Sequence, residues 1–100
     1  MTEEIMDEVV MDIETYLDNY KINSDLKGYL YLADAIEYGM MHITDPNAKI
    51  LPYLVEKHKV NKSMVSLTMK KALQNAGINE KPMHFVRQAA LFLAQRQDVR

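Results

Sequence analysis

The chain has 100 residues, 48% hydrophobic and 26% charged, with a formal net charge of −2. That length and composition predict one domain with a single apolar core and argue against disorder. The absence of cysteine excludes a disulfide scaffold, a Cys-ligated zinc site and a thiol nucleophile. The acidic start MTEEIMDEVV is unlike a signal peptide, no apolar run approaches the ~20 residues of a membrane span, and a cytoplasmic location is expected.

Ile5 to Tyr20 is predicted helical, because Met6, Val9, Val10, Ile13, Tyr16, Leu17 and Tyr20 recur at three- and four-residue steps and leave an acidic outer face. Asn23-Ser24-Asp25 has turn and N-cap chemistry. A second helix is predicted over about Leu26 to Met41, burying Leu26, Tyr29, Leu30, Ala33, Ile36 and Met40. Gly28 lies in its first turns at a cost of ~1 kcal/mol relative to Ala, which points to close approach of a neighbouring helix.

Thr44-Asp45-Pro46 reads as the start of a third helix that runs to about His58, with Pro52 kinking or restarting it. A short turn, Lys59-Val60-Asn61, precedes a fourth helix over about Lys62 to Asn75, which Gly77 terminates. Asn79-Glu80-Lys81-Pro82 opens a fifth, about Met83 to Gln97, whose core face is Phe85, Val86, Ala89, Ala90 and Leu93, with Leu91 at its margin. No run of period two appears. The expected fold is all-α: residues 1–100 form one compact bundle of about five helices, with a helix-turn-helix over about residues 47–75.

The helix-turn-helix expectation rests on three placements. Val55 is directed at the following helix, Val60 fills the core from the turn, and Val65, Met69, Ala72 and Leu73 form the buried stripe of the second helix. The opposite face then presents Lys62, Ser63, Met64, Ser66, Leu67, Lys70, Lys71 and Gln74. In a DNA reader the start of such a face enters the major groove. Lys62, Lys70 and Lys71 suit phosphates, and Ser63 and Ser66 suit phosphate or base. Met64 and Leu67 offer only apolar contact, such as with a thymine methyl. Charge is split along the chain as well. Residues 1–45 hold eleven acids and two bases, a charge of −9, and residues 46–100 hold three acids and ten bases, a charge of +7. Such asymmetry suits a polyanionic partner for the basic half, or packing of the two halves on each other.

The segment LKGYLYLADAI, Leu26 to Ile36, closely resembles the KGYLYLREAI signature of the C-terminal DNA-binding effector domain of the sporulation response regulators typified by stage 0 sporulation protein A. The resemblance continues through Pro52, Val55, Lys57, Ser63, Val65 and Ala72, and recurs in Lys81-Pro82 and Phe85-Val86. It implies an all-helical domain that binds a short DNA box, often as tandem copies in head-to-tail contact. Where the family carries base-reading arginines this chain has Met64 and Leu67. Where the family has Arg and His it has Lys70 and Lys71. His58 stands at a core Phe position of the family, and the connection from Gly77 to Pro82 is shorter. The family's phosphorylated receiver domain has no counterpart here, which suits either a stand-alone effector-like protein or a fragment.

Other chemistry is not expected. His42, His58 and His84 lie far apart without metal-ligand spacing, and a half-buried structural role is expected for His58. The eight methionines suit an adaptable core or a contact surface, with Met40, Met41 and Met64 the ones whose exposure matters. Tyr29 and Tyr31, with Tyr38 further along, have the chemistry to stack bases, but their spacing and apolar neighbours favour core packing. No enzyme, cofactor, metal, small-molecule substrate or membrane partner is expected. The expected function is that of a transcriptional regulator domain, whose partner is double-stranded DNA bound through major groove and phosphates with altered or weakened sequence preference. The competing expectation is a degenerate paralogue that acts through protein contacts, as a homodimer or paired with the intact regulator.

Overall fold

A computed structural model of the chain describes residues 12–45 and 47–98, with side chains described up to residue 96. Five helices and no strand occur among these residues: α1 (12–19), α2 (Lys27–Met41), α3 (Ile50–His58), α4 (Lys62–Asn75) and α5 (Pro82–Asp98). The expected helical positions 5–11, including Met6, Val9 and Val10, lie outside the described residues, as does Pro46.

Helix α2 is the centre of the bundle and packs against α3, α4 and α5, while α4 also touches α3 and α5. Its two glycines permit this. A Cβ on Gly28 would stand 2.5 Å from the Cβ of Ala72 and 2.5 Å from the Thr68 carbonyl oxygen, so α2 and α4 meet nearly backbone to backbone. A Cβ on Gly39 would come within 3.0 Å of the Ala90 Cβ on α5. The close approach expected at Gly28 is present, and its partner is α4.

The core joins Ile13 and Leu17 of α1, Ile22, the inner face of α2, Ile50 and Leu54 of α3, Val65, Met69, Ala72 and Leu73 of α4, and Phe85, Val86, Ala89, Ala90 and Leu93 of α5. The stripes expected for the last two helices are therefore the buried ones. Of the stripe expected for α2, Tyr29 and Ile36 are buried, Leu26, Ala33 and Met40 are half-buried and Leu30 is 49% exposed, while Leu91 and Tyr20 are 50% and 44% exposed. The buried set of α2 is Gly28, Tyr29, Tyr31, Leu32, Ala35, Ile36 and Gly39. At about 100° per residue these form one broad face centred near Gly28 and Leu32, and the 30/33/37 ridge lies on the opposite side.

Helix α3 starts at Ile50, later than the Asp45-Pro46 signal suggests. Asp45 instead closes a turn, with its carboxylate accepting from the Asn47 N–H at 2.9 Å and its carbonyl from the Ala48 N–H at 3.2 Å. Pro52 explains the difference. Inside a longer helix it would lack the N–H for the Ala48 carbonyl and its ring would clash there. In the first turn of α3 the missing donor has no intrahelical partner to lose. No kink is required. Upstream of α2, Asn23 forms the turn by accepting from the Asp25 N–H at 2.9 Å, and the N-cap itself is Leu26, which gives no side-chain bond.

Candidate nucleic-acid interface

Three residues, Lys59 to Asn61, connect α3 to α4. Lys59 turns the chain in the left-handed region, φ 56°, at the C-cap of α3. Val60 packs partly against the core, as expected. Asn61 caps α4, its side-chain oxygen accepting the Met64 N–H at 2.8 Å. This satisfies one of the orphan donors of the first turn and holds the start of α4 against fraying. The far end is closed just as firmly. The Gly77 N–H bonds the Gln74 carbonyl at 2.9 Å and the Ile78 N–H bonds the Leu73 carbonyl at 2.9 Å, with Gly77 at φ 81°. That pair of bonds is the Schellman arrangement, and it needs a residue tolerant of positive φ.

Helix α3 is held to α2 by polar and aromatic contacts that the sequence did not suggest. Asp34 accepts from His58 Nε2 at 2.8 Å and pairs with Lys57 Nζ at 3.2 Å. The His58 ring lies 4.8 Å from the Tyr31 ring, and Tyr38 stacks on Tyr53 at 4.2 Å. His58 is thus half-buried and structural, in keeping with expectation. Burial works against the charge of Lys57, but the hydrogen bond and charge of Asp34, with a contribution from Tyr53, outweigh it and raise its pKa above the ordinary 10.5.

With both ends capped and one stripe buried, α4 presents a defined outer face. Lys62, Ser63, Met64, Leu67, Lys70 and Lys71 are exposed, and Ser66 is half-buried at the edge near Leu73. Leu67 lies at the centre of this face, opposite the Val65–Met69–Ala72 stripe. Met64 is 50% and Leu67 48% exposed. The helix contains no Asp or Glu, so Lys70 and Lys71 on this face and Lys62 at the N-terminal end have no counter-charge within the helix.

A shallow notch beside this face adds a residue. Lys27 and Leu26 from the start of α2 line it together with Thr68, Lys71 and Asn75 of α4. No local signal could have joined Lys27 to Lys71. They meet because Gly28 lets α2 settle on α4. Elsewhere, His84 bonds Glu80 at 2.8 Å one turn away, and His42 lies against the Tyr38 ring at 4.2 Å. Among the described residues no group of three or more His, Cys, Asp or Glu is disposed to hold a metal ion, and no helix is long and apolar enough to cross a membrane.

No family model, curated protein or solved structure matches the chain.

Proposed function

We propose that this chain is a DNA-binding domain that uses α3, the 59–61 turn and α4 as a helix-turn-helix, in the manner of the sporulation-regulator effector domains it resembles. The observation that carries this reading is the outer face of α4, where Lys70 and Lys71 stand exposed beside Ser63, with Lys62 exposed at the N-terminal end, on a helix free of carboxylates. Such a face favours phosphate contacts, which dominate affinity and are indifferent to sequence. Base preference is weak, because Met64 and Leu67 cannot form the bidentate contacts by which arginine distinguishes guanine, each about 1–3 kcal/mol of discrimination. Titration of duplex DNA at several salt concentrations tests the reading. Binding with a log–log slope near −0.9 per neutralised phosphate is expected. Lack of binding at low salt rejects it.

A second reading is favoured by one observation. Met64 and Leu67 are both half-exposed on the same face of α4, and an apolar patch rimmed by charge is the composition of a protein interface. On this reading the domain acts through protein contacts.

A further inference from the structure

On the α1–α2 side of the molecule runs an apolar groove. Ile13 and Glu14 of α1 form one wall, and Leu30, Ala33, Asp34 and Glu37 of α2 form the other. Leu30, Ala33 and Glu37 recur at i, i+3 and i+7, so they make one ridge along α2. At about 100° per residue this ridge lies on the side of α2 opposite Gly28, and therefore away from α4. Leu30 is 49% exposed, and Ala33 beside it leaves a depression. Asp34 is already engaged by Lys57 and His58. Glu14 and Glu37 form no ion pair among the described residues, so they give the rim an uncompensated negative charge.

The α4 face has the complementary character. Met64, Leu67 and Lys71 recur at the same i, i+3, i+7 spacing, with Lys70 alongside. One face is an apolar ridge with cations and the other an apolar groove with carboxylates. Helix-in-groove recognition uses this kind of pattern.

We infer that the α1–α2 groove is a docking site for the α4 face of a second copy of this chain, with Met64 and Leu67 meeting Leu30 and Ala33, and Lys70 and Lys71 facing Glu14 and Glu37. The inference rests on the second reading above, that Met64 and Leu67 meet a protein. Because groove and ridge lie on opposite sides of the molecule, the contact is heterologous and does not close by pairing two identical patches. The docked copy has its α4 face covered, so docking and DNA binding through that face exclude each other. A contact of one helix face in one shallow groove belongs to the small, transient class of interfaces.

Sedimentation of the full chain tests this, using Leu30→Glu and Leu67→Glu, two exposed positions whose folding is checked by circular dichroism. The wild-type chain is expected to associate as concentration rises and to dissociate as salt is added. Each variant alone stays monomeric. An equimolar mixture of the two forms a dimer and nothing larger, since one supplies an intact groove and the other an intact α4. A wild-type chain that is monomeric at about 1 mM in low salt, where a contact of even about −4 kcal/mol would register, overturns the inference. So does a mixture that remains monomeric. If Leu67→Glu abolishes association and Leu30→Glu does not, the groove is rejected while the second reading stands. If Leu67→Glu associates like wild type, both fall.

Discussion

Gly28 of α2 lies so close to Ala72 of α4 that a single added carbon would stand 2.5 Å from the Ala72 Cβ and 2.5 Å from the Thr68 carbonyl oxygen. This contact sets the seat of α4 on the bundle, and with it the direction in which Lys62, Leu67, Lys70 and Lys71 point. Gly28→Ala gains helix propensity, worth about 0.5–1 kcal/mol, but forces the two backbones apart. Overpacking of this kind costs about 1–3 kcal/mol. Net destabilisation is expected in urea unfolding. Ala72→Gly in the same chain should restore only part of it, because the Thr68 carbonyl cannot move aside.

Gly77→Ala is expected to destabilise the chain for a different reason. Nothing stands within 4 Å of a Cβ there, but the residue holds φ at 81°. A side chain in the left-handed region costs roughly 1–2 kcal/mol. Thermal unfolding should show a lowered midpoint, and Gly77→Asn, which tolerates that region better, should lose less.

Asp34→Ala removes the acceptor shared by His58 and Lys57. His58 is left half-buried without its partner, at a cost of about 1–3 kcal/mol. The loss should appear in denaturant unfolding. It should be accompanied by earlier amide exchange in α3 than in α5, since α3 is the element that this contact ties to α2.

Alkaline pH should weaken the fold through Tyr29. Its hydroxyl donates to Asp18 Oδ1 at 3.2 Å, and burial, followed by the charge and hydrogen bond of Asp18, pushes its pKa up from 10.0 to about 12. The folded chain binds this proton more tightly than the unfolded chain. The resulting stability is complete below pH 10 and is lost as pH rises towards 12. A rise from 10.0 to about 12 corresponds to an upper limit on the order of 2–3 kcal/mol. Lys57, also raised, acts in the same direction at higher pH. Unfolding followed against pH should show a steeper alkaline loss for wild type than for Tyr29→Phe.

On the proposed DNA-binding reading, Lys70→Ala is expected to weaken duplex binding about equally across sequences and to reduce the salt slope by about 0.9. Leu67→Arg should do the reverse and steepen the slope, and it should introduce a preference among sites if the face reaches bases. Fluorescence anisotropy across a salt series reads both effects.

Much of the fold was legible in residue spacing. The buried stripe of α4, the five buried residues of α5, the three-residue turn at Lys59–Asn61 and the stop at Gly77 all follow from local rules: helical period, cap chemistry and positive φ. Placements that depend on which elements touch were not legible. Leu30 and Leu91 are apolar at helical spacing, yet among the described residues each is left about half exposed. Helix α3 begins at Ile50 because of a clash centred on Pro52, which outweighed the start signal at Asp45-Pro46. The Asp34–His58 bond joins residues 24 apart, and nothing in either neighbourhood announces the other.

Helical period and capping are properties of a few adjacent side chains, so the amino-acid order alone carries the all-α class, the extents of α2 and α4 and the lysine-bearing face of α4. Which faces are covered, what lies beside α4 and where an acidic groove opens depend on how the helices are stacked. That was settled by close contacts such as Gly28 on Ala72 and Gly39 on Ala90. The low cost of bringing two backbones together there, where glycine has no Cβ and faces only the small side chain of alanine, decides the packing, and that energy exists only between segments distant in the chain.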